Sequence, residues 1–377
     1  MPDPLLLTPG PLTTSESVKR AMLKDWGSRD TEFIALTARV RNALLEVVGA
    51  GQDASYACVP IQGSGTFSVE AAIDTLVPRS GTFLVLANGA YGERMLKIAE
   101  RLRRPCLAYR TDEDVPPSAE DINKLLTEQP TITHVAMVHC ETTAGILNPL
   151  EEIAEVVVRR HRRALLVDAM SSFGALPIDA PRLGLTAVMA SSNKCLEGVP
   201  GIGFVIARTD ALRAAEGNAS SLSLDLADQW RNFENTGQWR FTPPTHVLAA
   251  LDTAIQEFID EGGVEGRGRR YTENCRVLID GMVALGFEPL LSHNLQAPII
   301  VTFHTPGDAN YDFERFYSAL RAKGYAIYPG KLTRADSFRI GCIGRISPAD
   351  LRGAVAAVGS VVQEMKIQQR GRTRAVV

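Results

Sequence analysis

The first two-thirds of the chain alternates between short apolar runs and longer amphipathic segments. Four of the runs are rich in leucine or β-branched residues and lack polar alternation, as is typical of strands buried on both faces. They cover residues 82–88, 134–140, 164–170 and 203–208. Apolar residues at helical spacing are found between them, over residues 92–102, 118–129 and 149–161. This alternation predicts a mostly parallel sheet with helices on both faces.

The pattern changes after a long helical segment at residues 247–263, where a smaller α+β unit is predicted to follow. Its candidate strands and helices cover residues 297–304, 311–324, 325–330, 337–344 and 347–365. The last stretch, 366–377, is basic and has no periodicity, which predicts a flexible tail. We therefore predict an α/β chain with a large domain over 1–264, which includes the N-terminal segment, and a small domain over 265–365.

Composition and charge argue against several classes of function. The chain has 377 residues, 45% of them hydrophobic, and a net charge of −3, so a nucleic-acid-binding surface is not expected. Its six cysteines are scattered without a C-x-x-C pair, and its histidines lack the spacing of metal ligands, so neither a metal nor a disulfide framework is expected. The sequence shows neither a signal peptide nor an apolar stretch long enough to span a bilayer. These features predict a cytoplasmic protein without a membrane partner.

Polar residues that follow the apolar runs are candidates for a site, because ligands of open α/β sheets bind at the carboxyl ends of the strands. Asp168 ends one run, and Lys194 follows the next one. Taken alone, Asp168 could equally cap a turn. Neighbouring parallel strands would bring the two side chains together. Pyridoxal phosphate needs such a pair, an aspartate that keeps its ring nitrogen protonated and a lysine that forms a Schiff base.

A second candidate is an anion site at the start of a helix. The loop Gly-Ser-Gly-Thr over 63–66 opens a helical pattern, and its main-chain N–H groups, with the hydroxyls of Ser64 and Thr66, suit a phosphate. The loop lacks both the lysine of a P-loop and the third glycine of G-x-G-x-x-G. A plain helix start is the alternative. Ser191, shortly before Lys194, could add a hydroxyl to the same phosphate.

Three more positions suit a flat or anionic ligand. Tyr91 lies in a glycine-flanked turn and could stack on a ring, although packing as core is the better explanation of this residue alone. Thr142 follows another strand, where its hydroxyl could reach a ring oxygen. Arg339 lies within an apolar candidate strand, and a buried arginine needs an anion. If no internal carboxylate pairs with Arg339, a substrate carboxylate or phosphonate is the expected partner.

A set of stretches in order along the chain resembles the class V aminotransferases of pyridoxal phosphate fold type I. They are LLLTPGPLTTS, GSGTFSVEAA, NGAYGER, HCETTAGILNPL, LLVDAMSSFG, SSNKCLEGVPGIGF, FTPP and FRIGCIG. The resemblance spans about residues 4–365. It implies a large domain with a mostly parallel seven-stranded sheet, a smaller C-terminal α+β domain, and pyridoxal 5′-phosphate as cofactor. It also implies a homodimer with shared active sites.

The resemblance assigns roles to single residues as well. It makes Lys194 the Schiff-base lysine and Asp168 the partner of the pyridine nitrogen. The residues that it places around the cofactor phosphate are Ser64, Gly65 and Thr66.

The remaining roles implied by the resemblance concern the ring and the substrate. Tyr91 would stack on the ring, and Thr142 would touch the ring hydroxyl. Thr242, in the Thr-Pro-Pro turn, would reach the phosphate from the other subunit. Arg339 would bind the substrate anion, and Arg29 is a candidate for a second anion contact.

The resemblance also bears on the substrates. The stretches LLLTPGPLTTS and SSNKCLEGVPGIGF, with Tyr91, favour transfer of the amino group of 2-aminoethylphosphonate to pyruvate, which gives phosphonoacetaldehyde and L-alanine in phosphonate catabolism. Relatives that use glyoxylate are expected to carry tryptophan in place of Tyr91. A glyoxylate transaminase that takes alanine or serine is the alternative.

Overall fold

The structure of the protein, a computed structural model, describes residues 3–332 and 334–371. Its strands are β1 (Leu5–Leu6), β2 (Tyr56–Gly63), β3 (Thr82–Ala87), β4 (Cys106–Arg110), β5 (Ile132–Val138), β6 (Cys140–Glu141), β7 (Ile146–Leu147), β8 (Ala164–Asp168), β9 (Ala187–Ser191), β10 (Gly201–Arg208), β11 (Ile300–His304), β12 (Tyr325–Ala326), β13 (Tyr328–Pro329) and β14 (Ser337–Gly341). Each of the four apolar runs overlaps a strand of the large sheet.

The helices also follow the predicted order. They are α1 (Glu16–Arg20), α2 (Thr31–Val47), α3 (Gly65–Leu76), α4 (Ala90–Arg101), α5 (Ala119–Glu128), α6 (Leu150–Ala154), α7 (Ala180–Leu183), α8 (Thr209–Ala214), α9 (Leu226–Thr236), α10 (Thr245–Asp260), α11 (Gly263–Ala284), α12 (Phe313–Ala322) and α13 (Pro348–Glu364). A 3₁₀ turn, Ala21–Leu23, follows α1, and a π-helical turn, Glu155–Arg160, continues α6. None of the described helices is both long and apolar enough to cross a bilayer.

The large sheet has seven strands in the order β2-β10-β9-β8-β5-β3-β4. Every pair from β9 to β4 is parallel, whereas β10 runs antiparallel to both of its neighbours. The predicted mostly parallel seven-stranded sheet is therefore confirmed. No apolar run predicted β2, which contains Pro60. A proline is tolerated there because β2 lies at the edge of the sheet.

Both faces of this sheet are buried, which explains the unbroken apolar runs. In β5, Val135 and Met137 belong to one core, which also holds buried residues of α2, α5 and α10. Ala136 and Val138 belong to the other, with residues of α3, α4 and α9. Successive strand residues point to opposite faces, so strands covered on both sides need apolar residues at every position.

The smaller unit has its own sheet, in the order β11-β14-β13, and its own apolar core. Helix α11 contributes to that core and begins at Gly263, beside the predicted boundary at residue 264. The division into two domains at this point stays a proposal, because α11 runs on from α10 with only two residues between them.

The first residues of the N-terminal segment, which the predicted boundaries assign to the large domain, are hydrogen-bonded to the smaller unit, whereas Val18 packs against α10. Strand β1 pairs in parallel with β12 of the smaller unit, and Leu7 is fully buried in the core of that unit. The backbone N–H groups of Leu5 and Leu7 donate to the carbonyls of Gly324 and Ala326. These long-range hydrogen bonds leave no local pattern in the sequence. The assignment of the whole N-terminal segment to the large domain stays a prediction.

Of the predicted flexible tail, residues 366–371 lie against the smaller unit, whereas 372–377 lie outside the described residues. Ile367 is buried in the core of the smaller unit. The backbone N–H groups of Gln368 and Gln369 donate to one carboxylate oxygen of Asp308, and Arg370 donates to the carbonyl of Leu285. One buried isoleucine and these hydrogen bonds hold this polar and basic segment against the smaller unit.

Candidate active site

Asp168 and Lys194 lie at the carboxyl ends of two adjacent parallel strands. Asp168 ends β8, and Lys194 follows β9, which ends at Ser191. Both residues line a cavity of about 170 Å³. The other predicted residues in its lining are Ser64, Gly65, Thr66, Tyr91, Thr142 and Ser191. The structure therefore brings together eight residues that the sequence had indicated separately.

Lys194 is covered by the N-terminal segment. Its ammonium group donates a hydrogen bond to the carbonyl of Pro9. Gly10 lies so close that a β-carbon there would come within 2.7 Å of Lys194 Cδ, and its φ of +119° also favours glycine. Burial lowers the pKa of Lys194. A lysine with a lowered pKa is more readily the neutral amine that acts as nucleophile or base.

Asp168 presents a buried carboxylate to the same cavity. Its Oδ1 accepts a hydrogen bond of 2.9 Å from the N–H of Met170. Burial raises the pKa of Asp168 to about 6, although the Met170 hydrogen bond acts in the opposite direction. A buried carboxylate of this kind is stabilised by a cation that reaches it through the cavity.

The start of α3 forms the anion-binding side of the cavity. Ser64 is the N-cap residue, yet its hydroxyl makes no cap hydrogen bond and is left free for a ligand. Thr66 Oγ1 accepts a 3.0 Å hydrogen bond from Arg94, which adds a positive charge. The hydroxyl of Ser191 is buried without a hydrogen-bond partner. A phosphate at a helix start, near a cation and two hydroxyls, would satisfy these groups.

Tyr91, in the first turn of α4, is part of the lining of the cavity. The Arg94 guanidinium lies 4.8 Å from the centre of its ring, and the Lys331 ammonium lies 4.1 Å from it. Burial alone would raise the pKa of Tyr91, but Lys194, a hydrogen bond with Thr142 and Lys331 together lower it. The aromatic ring therefore lies in the cavity rather than in the core alone.

Arg339, on β14, is 4% exposed and has no carboxylate within ion-pair distance among the described residues. Its guanidinium donates to two backbone carbonyls, those of Pro329 at 3.0 Å and Thr142 at 2.7 Å. Burial lowers its pKa, but an arginine stays protonated at physiological pH. The condition set from the sequence is therefore met: the charge is buried beside the cavity and lacks an internal counter-ion.

Residues 17–340 match the protein-family model described as Aminotransferase class-V. The chain belongs to the class-V aminotransferases. It is 56% identical over 364 residues to the 2-aminoethylphosphonate–pyruvate transaminase of Pseudomonas putida (strain GB-1), a match that covers 97% of this chain and 98% of that protein. It is also 56% identical over 367 residues to 2-aminoethylphosphonate–pyruvate transaminase 2 of Burkholderia lata, with 97% of each chain covered.

Solved structures of aminotransferases share the fold. Ureidoglycine–glyoxylate aminotransferase from Bacillus subtilis superposes with a TM-score of 0.88 at 22% identity, covering 98% of this chain and 95% of the other. The likeness at this level of identity concerns the fold alone. It confirms the predicted fold type of the class-V aminotransferases.

The cavity of this class-V aminotransferase fits pyridoxal phosphate, the cofactor that the family implies. The partnerless Ser191 hydroxyl and the start of α3 suit its phosphate. A β-carbon on Gly65 would come within 2.2 Å of Met170 Sδ, so a larger residue at the helix start would displace the Met170 side chain that lines the cavity. Asp168 and Lys194 lie on the same wall as Ser191 and complete the set of groups that the cofactor requires.

Two of the predicted residues lie elsewhere in the chain. Thr242 and Arg29 share a separate surface hollow and do not line the cavity around Lys194. Thr242 also lines a second hollow together with Phe67, which is 48% exposed on α3. Arg29 lies near the turn before α10, and its role as a contact of the substrate anion stays a prediction. Thr242 was assigned to the phosphate of the other subunit, and that role also stays a prediction.

Sequence reasoning missed several residues of the cavity, of which Arg94, Gly10 and Asn193 have polar or close contacts with the site. Arg94 carried a usable signal: it follows Tyr91 by three residues on a helix, so both side chains project from one face. Gly10 could not be found in this way, because its contact with Lys194 joins residues far apart in sequence.

A buried ionic network lies behind Lys194. Glu197, in the loop after Lys194, has a φ of +61° and is 2% exposed. Its Oε1 accepts hydrogen bonds from Tyr271 at 2.5 Å and Arg270 at 2.7 Å, both on α11. Arg267, also on α11, donates to the carbonyl of Cys195. The loop that carries Lys194 is therefore attached to the helix that begins the smaller unit.

No group of three or more histidine, cysteine, aspartate or glutamate side chains is arranged to hold a metal ion within residues 3–332 and 334–371.

Proposed function

We propose that the protein transfers the amino group of 2-aminoethylphosphonate to pyruvate, with pyridoxal phosphate as cofactor, and so forms phosphonoacetaldehyde and L-alanine in phosphonate catabolism. The observation that carries the proposal is the 56% identity, over 97% of this chain, to relatives with that name. Arg339 supports it, because it has no carboxylate partner among the described residues and both substrates carry an anionic group that a buried cation would bind.

The proposed roles of the residues are those that the resemblance implies, and their places in the lining of the cavity support them. Lys194 would hold the cofactor through its Nζ, with Ser64, Gly65, Thr66 and Ser191 at the phosphate. When bound, pyridoxal phosphate withdraws electrons from the carbon that carries the substrate amino group. Asp168 would hold the proton on the ring nitrogen. Tyr91 would lie against the ring, and Thr142 would contact its hydroxyl.

Proton transfer is the second proposed task of Lys194. Once its amine is released by the incoming substrate, it would accept a proton from the carbon that carries the amino group. It would then pass this proton to the C4′ carbon of the cofactor. The amine has to be neutral to accept a proton. Burial lowers its pKa, which acts in the required direction.

The donor is tested by a direct comparison of substrates. We expect the purified protein to form alanine from 2-aminoethylphosphonate and pyruvate much faster than it forms glycine from alanine or serine with glyoxylate. Each pair is measured at equal concentrations, with the amino acid product quantified. Faster turnover of serine with glyoxylate would contradict the proposed donor and acceptor and would leave the fold unaffected.

We also propose a homodimer in which Thr242 of one subunit reaches the cofactor phosphate of the other. Thr242 lies outside the cavity of its own chain, and its hollow holds two exposed aromatic side chains, Phe67 at 48% and Phe241 at 50%. Exposed aromatic residues beside a polar rim are typical of surfaces that are covered by a partner. A cytoplasmic location is proposed as well, since all six cysteines are free thiols.

Mixed dimers test the shared site. Lys194→Ala should inactivate a site through its own chain, whereas Thr242→Glu should inactivate the neighbouring site by placing a carboxylate against the phosphate. In a random mixture of the two inactive variants, we expect roughly a quarter of wild-type activity to return, because half of the dimers pair the two variants and hold one intact site. Dimers that exchange subunits without regaining activity would contradict the role of Thr242.

A further inference from the structure

The hairpin of β13 and β14 carries a second cation close to Tyr91, which lines the cavity. Tyr328 of β13 pairs with Arg339 of β14, and Arg339 Nε donates to the carbonyl of Pro329. Lys331 follows two residues later in the same hairpin, and its ammonium lies 4.1 Å from the centre of the Tyr91 ring. Arg339 and Lys331 therefore approach the residues around the cavity from one short piece of chain.

The position of Lys331 is fixed by its neighbours. A β-carbon on Gly330 would come within 2.2 Å of the carbonyl oxygen of Ser337, so the two arms of the hairpin are in close contact before Lys331. Leu332, directly after it, packs against a cluster of Ala144, Ile146 and Leu291. A lysine held between two packed neighbours loses less freedom on binding a ligand than one on a free loop.

The carboxylates near these cations are engaged elsewhere. Glu141 is buried, and its oxygens accept hydrogen bonds from the N–H groups of Tyr91, Gly92 and Thr143 and from the Thr143 hydroxyl. Asp168 faces the cavity from the cofactor side. Among the described residues, neither Lys331 nor Arg339 has a carboxylate within ion-pair distance. Among the described residues, these two cations of one hairpin thus lack a carboxylate partner.

A third cation near Tyr91 has a different neighbour. Arg94 donates to Thr66 at the start of α3 and so belongs with the phosphate end of the cofactor. Lys331 and Arg339 are left for the substrate. This division matters because the two substrates differ in charge: a phosphonate carries up to two negative charges near neutral pH, whereas the carboxylate of pyruvate carries one.

We propose that Lys331 is a specificity-determining residue which, with Arg339, selects a phosphonate dianion over a carboxylate. The proposal rests on the proposed function and names the part of the chain that recognises its donor. Arg339 binds either anion through the several N–H donors of its planar guanidinium. Lys331 adds a second positive charge, which stabilises a dianion more than a monoanion.

The test compares Lys331→Met with the wild-type holoenzyme. We expect KM for 2-aminoethylphosphonate to rise about 10- to 100-fold, as for loss of one charged hydrogen bond, with kcat changed much less. KM for pyruvate should rise far less than KM for the phosphonate. Lys331→Arg should restore most of the affinity, because it keeps the charge. Lys323→Met is the matched control, since Lys323 pairs with Glu364 away from the cavity and its loss should change neither value.

A binding measurement separates this inference from the proposed function. Calorimetric titration of the holoenzyme with methylphosphonate and with acetate measures recognition of each anion without turnover. We expect Lys331→Met to weaken methylphosphonate binding selectively, and Arg339→Met to weaken both. Equal losses for the two anions in Lys331→Met, or no loss for either, would overturn the role of Lys331. A wild-type protein that binds methylphosphonate but does not transaminate 2-aminoethylphosphonate would refute the proposed function and leave the anion preference standing.

Discussion

Replacement of Lys194 by alanine is expected to reduce turnover by about 10⁴-fold or more and to remove the absorption band of the Schiff base between the lysine and the cofactor. The lysine has two proposed tasks, to hold the cofactor and to move a proton, and alanine can do neither. The variant should still bind pyridoxal phosphate without a covalent bond, because the start of α3, Ser191 and Asp168 remain. The measurements are the absorbance spectrum, steady-state turnover, and borohydride reduction followed by peptide mass spectrometry.

Two further variants sharpen this test. Lys194→Arg keeps the positive charge but has no neutral form at physiological pH, so it should be as inactive as alanine if proton transfer matters. Lys97→Ala removes an exposed lysine of α4 and should behave as the wild type. Reduced cofactor found on any peptide other than the one with Lys194 would refute the assignment, as would a Schiff-base band that persists in Lys194→Ala.

Replacement of Asp168 by asparagine is expected to lower turnover and weaken cofactor binding in the holoenzyme, but to stabilise the cofactor-free protein. Asparagine can still accept the hydrogen bond from the Met170 N–H, so the local geometry is kept. With the cofactor bound, loss of the carboxylate leaves the protonated ring nitrogen without a counter-ion. Turnover should then fall at least about 10²-fold, and the cofactor should dissociate more readily.

Without the cofactor, the same substitution should stabilise the fold. Burial raises the pKa of Asp168 from 3.8 to about 6, so the folded state binds more protons than the unfolded state between these values. The free energy of unfolding therefore falls as the pH rises through this window, and the full cost above pH 6 is about 3 kcal/mol. The asparagine side chain of the variant is uncharged and avoids this cost.

Denaturant unfolding of the cofactor-free proteins at pH 8 and pH 5 measures this effect. The asparagine variant should be the more stable protein at pH 8, and its advantage should shrink at pH 5. Addition of pyridoxal phosphate at pH 8 should reverse the order, because only the wild type gains the full ionic contact. A cofactor-free variant that is less stable than the wild type at pH 8 would contradict a buried, unpaired carboxylate at this position.

The sequence predicted those parts of the site that depend on where strands end. Apolar runs locate buried strands, and polar residues directly after them fall at one edge of a parallel sheet, which is how Asp168 and Lys194 could be paired. The phosphate-binding side of the site could be predicted equally well, because a glycine-rich helix start is a local feature of the sequence. For these residues, local pattern and tertiary position agree.

Contacts between segments far apart in sequence could not be predicted from the sequence. The hydrogen bond from Lys194 to Pro9 joins residues 185 positions apart, and the pairing of β1 with β12 leaves no periodic trace. The absence of a counter-ion for Arg339 depends on which carboxylates fold near it, which composition does not specify. Lys331 was missed for the same reason: its neighbours in sequence are ordinary for a loop, and its importance comes from Tyr91, on a different unit of the fold.

The path of the N-terminal segment has a practical consequence for handling the protein. Residues 5–7 are hydrogen-bonded to the smaller unit, and Pro9 and Gly10, which follow after Thr8, lie against Lys194. An affinity tag or fusion partner at the N-terminus would therefore begin only a short stretch of chain from the reactive amine, and could disturb it without unfolding anything. Residues 366–371 run along the smaller unit beside Asp308 and Leu285, and a tag placed after them avoids that segment.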